Sequence, residues 1–171
     1  MLMNRIGHQQ GVGLMEVLIA LLILAIGVMG FIALQYRAVE ATIESGARIQ
    51  AINLGRDLAE RMRVNRGAEN VYTYHLNTAG KQVERAKNCF TATNCTSADF
   101  ADFDVSEISK KARSVGMMIN YLPCQGNNDG RHCIYVAWGD TAPTHGAEGE
   151  GNCTSSTVYD PNSTCLIMEV Y

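Results

Sequence analysis

Residues Gly11 to Leu34 read GVGLMEVLIALLILAIGVMGFIAL, and Val17 to Leu34 within them form eighteen consecutive residues without a charge. At 1.5 Å rise per residue that run makes about 27 Å of helix, close to the hydrocarbon thickness of a bilayer. A cleavable secretory signal has a shorter apolar core of about 7 to 15 residues, ending at a small-residue Ala-x-Ala site. No such site follows this run, so it is expected to stay attached to the chain beyond it. Glu16 stands between Met15 and Val17, which puts a carboxylate inside an apolar helix. An acid at the helix centre costs about 2.5 to 3.5 kcal/mol in a membrane, less near the interface. Glu16 is therefore a candidate functional residue in need of a partner. The plain alternative is a side chain resting at headgroup level.

From Tyr36 onward the pattern turns amphipathic. Val39, Ile43, Ala47, Ala51, Leu54, Leu58 and Met62 recur at three- and four-residue intervals, which places them on one stripe of a helix. Arg37, Glu40, Glu44, Arg48, Arg56, Asp57, Glu60 and Arg61 lie largely off it. One helix is expected from about Leu14 to Asn65, about 78 Å long. Its first half has nothing of its own to pack on, whereas its second half has one apolar face suited to backing a globular head. Gly27, Gly30, Gly46 and Gly55 interrupt it at about 1 kcal/mol each relative to Ala. They read as places of close helix packing, with local melting on entry into an assembly as the alternative.

The 171 residues suit one modest domain plus an anchor. Lys and Arg number 14 against 17 Asp and Glu, a formal charge of −3. Nucleic-acid binders draw most of their affinity from neutralising phosphates; no basic footprint exists here, so no direct nucleic-acid binding is expected. Cys89, Cys95, Cys124, Cys133, Cys153 and Cys165 all fall in the polar half beyond the apolar run. An even number there reads as a disulfide set in an oxidising compartment. There is no Cys-x-x-Cys pair, and no metal site is expected.

Gly11 through Leu24 resembles the class III signal of type IV prepilins, with Gly before the cut and Glu five residues into the mature chain. The resemblance implies cleavage after Gly11 by a prepilin peptidase and N-methylation of the new terminus, Val12. Val12 stands where most members of that family carry Phe. It also implies that Glu16 pairs with the N-terminal amine of a neighbouring subunit during assembly, in an apolar groove where screening is weak. The N-terminus is taken as cytoplasmic from this motif, since Arg5, Arg37 and Arg48 flank the run on both sides. The stretch Asn53 to Arg66 (NLGRDLAERMRVNR) resembles the end of the spine helix of the minor pilin PilV family, the type IV pilus modification proteins. Implied partners are other major and minor pilins, the prepilin peptidase, the inner-membrane assembly platform, and membrane lipid before assembly. The implied localisation is a single-pass inner-membrane protein with a periplasmic head, then an extracellular pilus filament.

The chain is accordingly divided into residues 1–11 as cleaved leader, 12–35 as transmembrane and filament-core helix, 36–66 as amphipathic spine and 67–171 as head. Gly67 to Asn88 reads as a long loop with a short strand at Val71 to His75. Ser97 is expected to cap a helix running to about Arg113, with Phe100, Val105 and Ile108 inward. Val115 to Leu122, Cys133 to Gly139 and Leu166 to Tyr171 read as strands, the first two as a hairpin across Cys124 and Cys133. Gln125 to Gly130 and Gly146 to Asn152 read as loops. The fold class is α+β, type IV pilin-like: a long N-terminal spine helix packed on a small disulfide-bonded antiparallel sheet. Six cysteines allow fifteen pairings. Proximity in sequence favours Cys89–Cys95, Cys124–Cys133 and Cys153–Cys165.

No catalytic constellation is visible. His8 lies in the leader, and His75, His132 and His145 are scattered without metal or dyad spacing. Asp99, Asp102 and Asp104 sit near a helix start, where the dipole favours them. No enzyme and no cofactor are expected. The expected function is that of a minor pilin that primes or modifies pilus assembly, with its head at the tip. A type II secretion pseudopilin and a non-polymerising, membrane-anchored periplasmic binding module are the alternatives.

Overall fold

The computed structural model describes residues 13–78, 80–126, 129–147 and 151–170. The chain forms two compact units, Met1–Glu44 and Ser45–Tyr171. Helix α1 spans Leu14–Val64. A 3-10 turn at Arg66–Ala68 leads into α2, Glu69–Asn77, and α3 covers Ser97–Ser114. Six strands follow: β1 Met117–Pro123, β2 His132–Trp138, β3 Ala142–Gly146, β4 Asn152–Ser155, β5 Val158–Tyr159 and β6 Cys165–Val170.

Among its described residues the first unit contributes the first part of α1 and a lead-in at Gly13. Its described apolar side chains stand in the open, and the most apolar eighteen-residue window of the helix has no buried residue. The second unit is an α+β head. Strands β1, β2 and β6 form an antiparallel sheet in that order, with Ile119 opposite Val136 and Val136 opposite Leu166. A smaller sheet orders β3-β4-β5, its first pair parallel and its second antiparallel.

Strand β2 is buried on both faces because its residues alternate between two cores. Ile134, Val136 and Trp138 join Ala51, Leu54, Leu58 and Met62 of α1 and the inward residues of α2 and α3. Tyr135 and Ala137 join Cys124, Cys133, Cys153 and Cys165 in a second core. A strand sandwiched this way reads as an unbroken apolar run, here Cys133 to Trp138. Gly55 of α1 faces β6, and a Cβ there would come within 2.6 Å of Met168 Cε. Among the glycines of α1 noted above, Gly55 answers to sheet packing; around Gly27, Gly30 and Gly46 a Cβ would meet nothing within 4 Å.

Three readings of the head are corrected. Val71 to His75 is helix, not strand, and the expected loop from Gly67 contains α2. Ala68, Tyr72 and Leu76 are buried at a four-residue period, and that period outweighs the β-branched Val71 and Thr73. The cap of α3 is Thr96, one residue before Ser97: its side chain accepts from the Asp99 N–H, and the Asp99 side chain accepts from the Thr96 N–H in a capping box. Phe100 is 44% exposed, whereas Phe103 is 3% exposed. The inward positions of α3 are Ala101, Val105, Ile108 and Ala112, a register that turns Phe100 out. Helix α3 ends at Ser114, and Gly116, just beyond the Val115 cap, has φ +71°, the left-handed position that a helix stop favours. Strands β3, β4 and β5 have no counterpart among the strands read from the sequence.

Candidate functional site

The residues singled out at the N-terminus fall on both sides of the described boundary. Gly11 and Val12 lie outside the described residues, as does His8. Glu16 lies in the first turn of α1, exposed, and its backbone N–H reaches the Gly13 carbonyl at 2.9 Å. Beyond it, Leu18, Ile19, Leu21, Leu22, Ile23 and Leu24 are each more than half exposed. Removing one such side chain from water is worth about 1.5 to 3 kcal/mol, so this surface calls for lipid or other apolar helices against it. A carboxylate at the head of that surface is the one charged group among residues 13–34.

Further along the first unit, Arg37 pairs with Glu40 at 3.3 Å. Val39 and Ile43 are 58% and 68% exposed, although they continue the stripe that Leu54, Leu58 and Met62 bury in the head. The amphipathic face thus has two fates along one helix.

In the head, charged groups join α1 to α3. Arg61 Nη1 lies 2.6 Å from Asp104 Oδ1, and Arg61 Nε lies 2.8 Å from Asp57 Oδ1. Lys111 reaches the other Asp57 oxygen at 3.3 Å, and the Tyr72 hydroxyl donates to Asp104 Oδ2 at 2.7 Å. Burial pushes the Asp57 carboxyl up, but hydrogen bonds and charge from Arg61 and Lys111 prevail and hold it below its ordinary range. Burial, and then the Asp104 carboxylate, push the Tyr72 hydroxyl well above its ordinary value. From the sequence Asp57 and Arg61 are placed only off the apolar stripe; their four-residue spacing is the signal that could have shown the ion pair. Nothing in the sequence tied Arg61 to Asp104, 43 residues away.

The histidines do not converge. His75 Nδ1 lies 3.3 Å from Asp102 Oδ1, His132 stacks on Tyr121, and His145 is exposed. No cluster of three metal-binding side chains occurs among the described residues. A cavity of about 130 Å³ lies between Met62, Arg63, Arg66, Glu69, Tyr121 and Val170. The cysteines pair as Cys89–Cys95, Cys124–Cys133 and Cys153–Cys165.

Residues 33–106 match the model of a family described as type IV pilin Tt1218, Tt1218-like. This supports a type IV pilin family. The matched part is less than half of the chain and runs from the bare stripe of α1 through α2 into α3. Residues Gly11 to Leu24, with the prepilin-like signal, lie outside it. No curated protein and no solved structure matches the chain. A type IV pilin is a structural subunit, and an exposed N-terminal apolar helix is compatible with membrane anchoring and with pilin–pilin contact in a filament.

Proposed function

We propose that this chain is a minor type IV pilin of the PilV kind, a structural subunit that primes or modifies pilus assembly and carries its head at the filament tip. The observation that carries the reading is the uncharged, uncovered helix surface of residues 17–34 with Glu16 at its head. Before assembly that surface lies in the inner membrane, with the head in the periplasm. After assembly it lies among the helices of other major and minor pilins in an extracellular filament. Residues 1–11 are the leader, removed by prepilin peptidase after Gly11, and Val12 becomes the methylated terminus. Residues 12–35 are the membrane and filament-core helix, 36–66 the spine and 67–171 the head. Glu16 pairs with the terminal amine of a neighbour, which gives the incoming subunit its register at the assembly platform.

The test is processing of a Gly11→Val variant in the native host. The full-length precursor is expected to accumulate in the membrane; normal maturation contradicts the cleavage assignment. Recovery of the wild-type chain with secretion components instead of sheared filaments assigns it to the pseudopilins.

A further inference from the structure

The segment from Gln82 to Cys95 runs along one side of α3 as a strap. The Ala86 N–H donates to Asp102 Oδ2 at 2.6 Å, and Lys87 Nζ donates to Asp99 Oδ2 at 2.9 Å. Phe90 meets Phe103 edge-on with ring centroids 4.8 Å apart. Asp99, Asp102 and Phe103 thus hold the strap near the bridge by three different kinds of contact, while Ser106 donates to the Val83 carbonyl and Glu107 pairs with Arg85 farther back. The Cys89–Cys95 bridge then turns the chain, so that Thr96 arrives as the cap of the same helix.

The three disulfides occupy different surroundings. Cys124, Cys133, Cys153 and Cys165 are buried together in the second core. Cys89 and Cys95 are half-buried and belong to neither core. Their bridge also closes the shortest loop, with a sequence separation of 6 against 9 and 12. Closure of a shorter loop stabilises less, and exchange with an external thiol depends on access to sulfur.

We infer that Cys89–Cys95 is a separately reducible clamp, whose opening frees the strap from α3 while both cores stay folded. The reductant is a dithiol of the disulfide-reductase class. Its thiolate attacks one sulfur of the bridge, forms a mixed disulfide and displaces the other cysteine as a thiolate. The second thiol of the reductant then closes its own disulfide and releases the first cysteine. Two electrons and two protons pass to the cysteine pair, and the dithiol leaves oxidised. Opening also takes Phe90 off the buried ring of Phe103, over which the Arg85 guanidinium lies 5.3 Å from the ring centroid.

The experiment uses the full chain in detergent micelles under graded dithiothreitol, without denaturant, with iodoacetamide trapping and peptide mapping. Cys89 and Cys95 are expected to label about tenfold or more sooner than the other four, as access to sulfur dictates. Amide exchange over 82–95 and the first turn of α3 is expected to rise with that labelling, and exchange in β1, β2 and β6 to stay unchanged. Labelling of all six together overturns the inference, and so does opening of the clamp without faster exchange in the strap. A Cys89→Ser, Cys95→Ser double variant is expected to show the same exchange pattern without reductant. Loss of protection throughout the sheet in that variant overturns the inference as well.

Discussion

Arg61 of α1 and Asp104 of α3 meet at 2.6 Å, with their side chains 32% and 13% exposed. The contact joins residues 43 apart in sequence, and the Tyr72 hydroxyl donates to the same carboxylate. Removing one partner of such a pair leaves the other desolvated, which costs more than the pair itself contributes. Asp104→Asn keeps the shape and deletes the charge. We expect it to destabilise the head by about 1 to 2 kcal/mol, partial exposure holding the figure down. Denaturant unfolding followed by near-UV dichroism measures this, and an unchanged midpoint contradicts the assigned role.

Asp99 offers a pH signature. A hydrogen bond from Lys87, and then those from the Thr96 backbone and side chain, hold its carboxyl down to about 2. The unfolded value is about 3.9, so the contribution to stability is complete above that pH and is lost as pH falls toward 2. A carbon-13 titration of the Asp99 carboxyl is expected to place its midpoint near 2, and Lys87→Ala to move it upward. A wild-type midpoint near 4 would remove the capping box from the account.

Gly55 lies against the end of Met168. Because that atom terminates a flexible side chain, Gly55→Ala is expected to be tolerated within about 1 kcal/mol, helped by its better helix propensity. Gly55→Leu overpacks the α1–β6 contact and should cost about 1 to 3 kcal/mol. Equal stabilities of the two variants by chemical denaturation would show that α1 does not approach the sheet here.

The two fates of the apolar stripe separate by mutation. Leu58 is fully buried and Ile43 is 68% exposed. Leu58→Ala should destabilise the head by about 2 to 5 kcal/mol. Ile43→Ala should leave head stability within about 0.5 kcal/mol, since it touches no core. A loss from Ile43→Ala comparable to that from Leu58→Ala contradicts the division of the helix.

Glu16 tests assembly. A buried ion pair broken on one side costs about 3 to 5 kcal/mol. Glu16→Ala is therefore expected to be processed normally yet enter filaments more than about tenfold less well, 1.4 kcal/mol being a factor of ten. Quantitative immunoblotting of sheared filaments against whole cells gives the ratio; normal incorporation contradicts the pairing role.

The parts of the fold legible in the sequence carry long, single-period signals. The expected end of α1 at Asn65 falls one residue from its observed end at Val64, because seven stripe residues keep one phase. Strand β2 was visible as an unbroken apolar run between turn residues. Helix α2 was misread because Val71 and Thr73 mimic strand alternation over only nine residues, too few for the Ala68–Tyr72–Leu76 period to stand out. Strands β3 to β5 are two to five residues long and carry Pro143, Gly146 and Asn152. Their pairing follows from tertiary packing, not from any local pattern. Of the candidate site, Glu16 was legible as a charge out of place. The Arg61–Asp104 link was not, since no periodicity spans a loop.

The most direct test of the central claim is the intact mass, non-reduced and reduced, of the chain taken from sheared filaments of its native host. A processed filament subunit is expected to begin at methylated Val12 and to gain the mass of six hydrogens on reduction. Absence from that fraction, with an uncut N-terminus retained in the membrane, would contradict it and favour an anchored binding module.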